Sequence, residues 1–398
     1  MITYYKSLLI KLFSIVQLIC TDPFTHLSEY LAIQEILITK ISYIEERIRT
    51  TKSTIKDYKK TLGSKTSQIG KEDAQKIKEH ITSAHTRIDG YRELLTTIRW
   101  IGDALAFSLI DSWDIKPMTI HKEKAGFISG KKGARRERQI LRELFNHGYI
   151  AILTDLTNCL RYGDIAIFST QGQYDLIEVK SSDTRSRRVS RQINNIGKIM
   201  NYLRTDYADD LFGKEGKVQR IQAHATTIRN IAQLNKVIDA ALVCENSFDE
   251  VEEGLFYIAT THFDQEIIRE IRERCKGQAI AASVDPNVYG NLAYFPLPLL
   301  IHNPEALFMV CTGYLSIVTV VDMGVIRDKL TANEISVNLS GENDDFVLLA
   351  KKFQPNDELI EMKIGHHLFS RIFAEFLSLE WFIDHITTSI QRYETASG

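Results

Sequence analysis

The chain has 398 residues, 44% hydrophobic and 25% charged, with a formal net charge of −2. That is the composition of an ordinary soluble protein long enough for two or three domains with cores of their own, and its near-zero charge excludes a partner chosen by bulk electrostatics. The five cysteines (Cys20, Cys159, Cys244, Cys275 and Cys311) are widely spaced and form no C-x-x-C, which excludes a cysteine-rich zinc site and fits reduced thiols in the cytoplasm.

The N-terminal run "YYKSLLIKLFSIVQLIC" is interrupted by Lys11 and is followed by no small-residue cleavage site, so it reads as a buried helix rather than a signal or an anchor, with no membrane partner expected. Residues 30 to 112 carry the clearest periodicity. Leu37, Ile41, Ile44, Ile48, Thr51, Ile55, Tyr58 and Leu62 recur in steps of four and three. After "GSKTSQIG" the pattern restarts as Ile77, Ile81, Ala84, Ile88, Tyr91, Leu95, Ile98, Gly102, Leu105 and Leu109. Such steps put one apolar seam on each helix, and the glycine-bounded connection folds the pair back as an antiparallel coiled-coil hairpin. A hairpin of this kind is a structural arm, a dimeriser giving a homo-oligomer, or a dock for a partner protein. Residues 1–115 are therefore expected to form a helical region.

"DIKPMTIHKEKAGFISGKKGARR" (114–136) is basic and glycine-rich, a linker or a phosphate-facing loop. Gly133 precedes a helix from about Ala134 to Asn146. At 100° per residue, Ala134, Leu141, Leu144 and Phe145 fall on one side with Glu137 in their midst, while Glu143 points away. A carboxylate on an apolar stripe needs a reason. Strand-like runs follow at 149–156, 163–169 and 174–182, the last two joined by "QGQ". An arginine-rich helix with Val189, Ile193, Ile196, Met200 and Leu203 on one face spans 187–204, and "GLFYIATTH" (254–262) reads as a further strand. Helix, three strands, helix, strand is an α/β layer pattern. Residues 266–398 read as an α+β extension of unknown role.

Strand alternation puts Leu176, Glu178 and Lys180 on one face, and a hairpin brings Asp164 beside Glu178. Two carboxylates held that close repel unless a cation sits between them, and a hard divalent ion is the usual solution. Lys180 adds a positive group able to orient a water or stabilise developing negative charge.

This arrangement resembles the PD-(D/E)xK nuclease superfamily over about residues 130 to 265. Asp164 stands at the family's first acid, Glu178-Val179-Lys180 at its E-x-K, Glu137 at its helix acid, and Gln192 at the glutamine some members carry on the following helix; Gly163 stands where the family name has proline. The resemblance implies an αβββαβ, restriction-endonuclease-like core over 116–265. It implies Mg²⁺ (Mn²⁺ substituting) held by Asp164, Glu178 and Glu137, with hydrolysis of phosphodiester bonds aided by Lys180. DNA is expected over RNA on family habit. A role in prokaryotic restriction or defence is a further expectation, with repair as its competitor. Lys131, Lys132, Arg135 and Arg136 before the core, and Arg185, Arg187, Arg188 and Arg191 after the E-x-K, are the expected backbone contacts.

Two other E-x-K tripeptides occur, Glu215-Gly216-Lys217 and Glu361-Met362-Lys363. The second also has an acid, Asp345, a hairpin's length upstream, but no comparable helix precedes it and Pro355 breaks the intervening run. No G-x-x-x-x-G-K-[ST] and no H-E-x-x-H are present. The alternative to an enzyme is a non-catalytic nucleic-acid-binding subunit assembled through the coiled coil.

Overall fold

The structure is a computed structural model. It describes residues 2–63, 70–119, 127–131, 133–179, 187–211, 216–219, 226–262, 264–284, 294–339, 346–353 and 359–397, with the backbone alone at 187–189, 346 and 393–397. Two compact units share the chain: Met1–Ile221 with Asn287–Leu299, and Gln222–Pro286 with Leu300–Gly398.

In the first unit the apolar N-terminal run forms α1 (Lys6–Ile19), followed by α2 (Leu27–Gly63) and α3 (Lys71–Phe107). Leu9, Leu12, Phe13, Val16 and Ile19 of α1 are buried. By length and composition Ile2–Ile19 could also cross a bilayer, but a core helix or a signal sequence passes the same test. The expected seams of α2 and α3 are buried from Leu37 to Ile55 and from Ala84 to Leu105, apart from half-buried Thr51, and the two helices pack on each other. Toward the tip the seam residues Tyr58, Leu62, Ile77 and Ile81 are only half-buried.

At its base the hairpin merges with the α/β layer. α4 (Ser112–Thr119), with Pro117 inside it, occupies part of the segment read as a loop. α5 (Ala134–Asn146) and strands β1 (Ile150–Leu153), β2 (Ile165–Phe168) and β3 (Tyr174–Ile177) follow, then α6 (Arg187–Thr205). The strands make an antiparallel meander in the order β1-β2-β3, with Ile152 opposite Ala166 and Ala166 opposite Leu176. One edge of the meander is capped by α2: buried Gln34 donates from Nε2 to Ala151 O at 2.8 Å and accepts from Leu153 N at 3.1 Å. A side-chain amide thus satisfies an edge strand that a neighbouring strand would otherwise satisfy.

α3 grips the other end of β1. A Cβ on Gly102 would lie 2.1 Å from Leu156 O, so only glycine permits this approach. The next residue, buried Asp103, accepts from Asn158 N (2.6 Å), Asn158 Nδ2 (2.8 Å) and Cys159 N (2.9 Å), and burial raises its pKa. The helical hairpin is therefore part of the unit that carries the meander, and the division expected at residue 115 is not where the chain divides.

The second unit is α+β. It begins before the expected boundary at 266. A four-stranded antiparallel sheet, in the order β6-β7-β9-β8, is built from β6 (Asn246–Glu252), β7 (Leu255–Thr260), β8 (Ala279–Ser283) and β9 (Ser316–Asp322). A three-stranded sheet adds β10 (Ser336–Leu339), β11 (Phe346–Phe353) and β12 (Leu359–Gly365). Helices α7 (Ile231–Cys244), α8 (Gln265–Arg274), α9 (Pro304–Cys311), α10 (Met323–Thr331), α11 (His366–Ala374) and α12 (Leu379–Ser397) complete it. Phe256, Ile258, Ile271 and Val320 form one of its cores, and a cavity of about 600 Å³ lies between α8 and the sheet.

The strand expected at 254–262 to finish the αβββαβ core is β7. It pairs with β6 and β9, not with the meander. After α6 the first unit has a two-stranded ribbon, β4 (Tyr207–Asp209) and β5 (Lys217–Gln219). Among the described residues no fourth strand joins β1-β2-β3.

Candidate active site

Four local structures bring acids to one end of the meander. α5 begins beside Gly133, and Glu137 is buried on its first turn together with Leu141 and Phe145 further along. The Glu137 carboxylate folds back so closely that a Cβ on Gly133 would lie 2.8 Å from its Oε1. β1 ends in a 3₁₀ turn, Thr154–Leu156, which turns Asp155 out of the strand. That turn is tied to the strand entering β2: Thr154 N donates to Asp164 O at 3.1 Å, and Thr154 Oγ1 donates to Gly163 O at 2.6 Å. Asp164 N donates to Ile177 O at 2.8 Å, and Val179 N donates to Asp164 Oδ2 at 2.8 Å. Ile165 pairs with Ile177, and one step further along the same register sets Asp164 opposite half-buried Glu178.

The free oxygens of three of these acids converge on one cation, the ammonium of Lys131. Its Nζ lies 2.8 Å from Asp155 Oδ2, 2.8 Å from Asp164 Oδ1 and 3.0 Å from Glu137 Oε1. Burial works against the charged lysine, but the charges and hydrogen bonds of Asp155 and Asp164 outweigh it and hold its pKa well above the ordinary value. Burial raises the pKa of Glu137; Lys131 pulls it down, and Asp164 and Asp155 add to the rise.

The lysine is itself held from the helical hairpin. Ser129 N donates to Glu45 Oε2 at 2.8 Å, and Arg49 Nη2 donates to Ser129 O and Oγ at 2.8 and 2.9 Å. Arg99 links both sides: Nη2 pairs with Glu45 Oε1 at 3.2 Å, and Nε donates to Asp155 O at 3.3 Å.

Of the residues expected from sequence, the structure brings together Glu137 and Asp164, with Glu178 beside Asp164. Lys180, Lys132 and Arg185 lie outside the described residues, as do the side chains of Arg187 and Arg188. Arg135 and Arg136 are exposed on the first turn of α5, and Arg191 is exposed on α6. Gln192 is half-buried on α6, and no hydrogen bond joins it to the acids among the described residues. Lys131, expected to face phosphate, faces carboxylates instead. Asp155 was missed because "YIAILTDL" reads as one strand; the Thr-Asp pair after four apolar residues was the available signal for a turn. The rival tripeptide at 361–363 lies on β12, where Glu361 is ion-paired with its cross-strand partner Lys351.

Glu137, Asp155 and Asp164 are hard oxygen donors of the kind that suit Mg²⁺ or Mn²⁺. As they stand, with Lys131 between them, no group of three or more His, Cys, Asp or Glu among the described residues is arranged to hold a metal ion. Comparison with protein-family models, curated proteins and solved structures gives no match for this chain.

Proposed function

We propose that this chain is a cytoplasmic, metal-dependent nuclease that hydrolyses phosphodiester bonds, in DNA rather than RNA, through a PD-(D/E)xK-type site. The observation that carries the reading is the convergence of Glu137, Asp155 and Asp164, from three separate elements, on a single cation position. Carboxylates so close repel one another unless a cation lies between them, so their convergence marks a place built for a cation. Glu137, Asp155 and Asp164 would hold the divalent ion, with Glu178 next to Asp164. When bound, such an ion lowers the pKa of a water and stabilises negative charge on phosphate oxygens. The chain's own part is positional. Val179 N fixes one oxygen of Asp164 and leaves the other aimed at the cation. Exposed Arg135 and Arg136 at the start of α5 supply phosphate contact from the rim of the site. Restriction or defence against foreign DNA is the proposed role.

The test incubates the full chain with supercoiled, linear and single-stranded DNA in Mg²⁺, Mn²⁺ or EDTA, beside Asp164→Ala and Lys180→Ala. The reading predicts cutting that needs metal and is lost in both variants. Metal-dependent cutting that survives in Asp164→Ala contradicts the site.

A second reading has its own observation. An ammonium already pairs with all three acids, and a core built that way needs no metal to fold. A nucleic-acid-binding subunit of this type would bind DNA equally in Mg²⁺ and EDTA and cut none.

A further inference from the structure

The ammonium of Lys131 donates to Asp155 Oδ2 and Asp164 Oδ1 at 2.8 Å each and is ion-paired with Glu137 Oε1 at 3.0 Å. Held by three carboxylates, it is the cation of the cluster in this arrangement. A divalent ion bound by the same oxygens would stand where Nζ stands, and the two cannot be there together. Among the described residues one ammonium contacts three carboxylates, and a dication would neutralise more of that charge than an ammonium does.

The lysine does not reach this place unaided. The turn before it is pinned to α2 through Glu45 and Arg49, and Arg99 of α3 joins that clamp to the backbone of Asp155. Glu45 is fully buried, so the inner half of the clamp is as fixed as the helix packing. Arg49 is half-exposed and pairs with Glu46 on its own helix, so the outer half can be loosened from the surface of the hairpin. A residue clamped from the arm and aimed into the acids is a means for the arm to act on the site.

Resting on the nuclease reading, we propose that Lys131 is an autoinhibitory cation that competes with the divalent metal for Glu137, Asp155 and Asp164, and that the helical hairpin sets this competition through its hold on Ser129. Whatever loosens the hairpin from Ser129 favours the metal.

The experiment is a Mn²⁺ titration of the full chain without nucleic acid, followed by electron paramagnetic resonance, for the wild type, Lys131→Met, Lys131→Arg, Arg49→Ala and Asp164→Ala. Removing the competitor should tighten Mn²⁺ binding in Lys131→Met by about tenfold or more, a change of the size that neighbouring groups exert at metal sites. Arg49→Ala should tighten it less, Lys131→Arg should not tighten it, and Asp164→Ala should abolish it. Lys131→Met leaves three carboxylates without a cation, so its thermal midpoint is measured in parallel and should rise with Mn²⁺ more than that of the wild type. If Asp164→Ala loses Mn²⁺ but Lys131→Met binds it no more tightly and gains no greater midpoint rise, the competition is overturned and the nuclease site stands. If Asp164→Ala leaves Mn²⁺ binding as it was, or no variant binds Mn²⁺, the nuclease reading falls and takes the competition with it.

Discussion

Each unit of the chain buries a cluster of charge, and the two are built to opposite plans. In the second unit Arg371 donates from Nε and Nη2 to Glu375 Oε2 at 3.0 and 2.8 Å, and Arg229 Nη2 reaches the same oxygen at 3.1 Å. There, among the described residues, two guanidiniums share one carboxylate, and the Arg371 side chain is 2% exposed. In the first unit three carboxylates surround one ammonium, and the Lys131 side chain is 29% exposed. The first plan seals a rigid, planar, permanently charged group into a core. The second leaves excess negative charge within reach of solvent around a flexible side chain. Burial of charge alone therefore does not single out the first cluster; its exposure and its crowd of carboxylates set it apart.

The largest effect that would sharpen the contrast is expected in the sealed cluster. Glu375→Gln removes the carboxylate shared by two guanidiniums and should lower stability by about 3–5 kcal/mol. The urea midpoint should fall to the same extent with and without Mg²⁺; rescue by Mg²⁺ would break the distinction between the two clusters. In the open cluster, Asp155→Ala should lower metal affinity by more than the roughly 100-fold seen when outer-shell partners of a metal are removed, while changing stability little because the like charges around it relax. A large loss of stability with metal affinity unchanged would make Asp155 a structural residue.

Two further variants probe how the hairpin supports the site. Gly102→Ala forces a Cβ against Leu156 O, 2.1 Å away in the ideal geometry. It should cost about 1–3 kcal/mol and shift the turn that carries Asp155, so the urea midpoint and Mn²⁺ affinity should fall together. Gln34→Ala strands Ala151 O and Leu153 N and should cost about 1–3 kcal/mol. Its effect should appear as faster amide exchange at Leu153, with metal affinity nearly intact. Smallest of all, Arg142→Ala breaks an exposed ion pair with Glu35 and should change stability by no more than about 1 kcal/mol.

Much of the first unit was legible in the sequence because its signals are local. Steps of four and three give a helix and its buried face together, and Glu137 in an apolar stripe announces a buried acid before any neighbour is known. Asp164 and Glu178 were legible as a pair because a short antiparallel hairpin fixes register by counting. What failed was non-local. "GLFYIATTH" is a strand by pattern, but nothing in those nine residues says which sheet it joins. Lys131 looked like one member of a basic run, because composition gives charge and not direction. The hairpin looked like a separate arm because periodicity says nothing about Gln34, Arg99, Gly102 and Asp103, whose partners lie 54 to 119 residues away.

The central claim is that the excess negative charge around Lys131 exists for a divalent cation. Anomalous diffraction at the manganese edge from crystals of the full chain grown with Mn²⁺ tests it most directly. The account predicts an anomalous peak among Glu137, Asp155 and Asp164, with the Lys131 ammonium withdrawn from all three. Mn²⁺-saturated crystals with no peak there, and with Lys131 still seated between the three carboxylates, would contradict it.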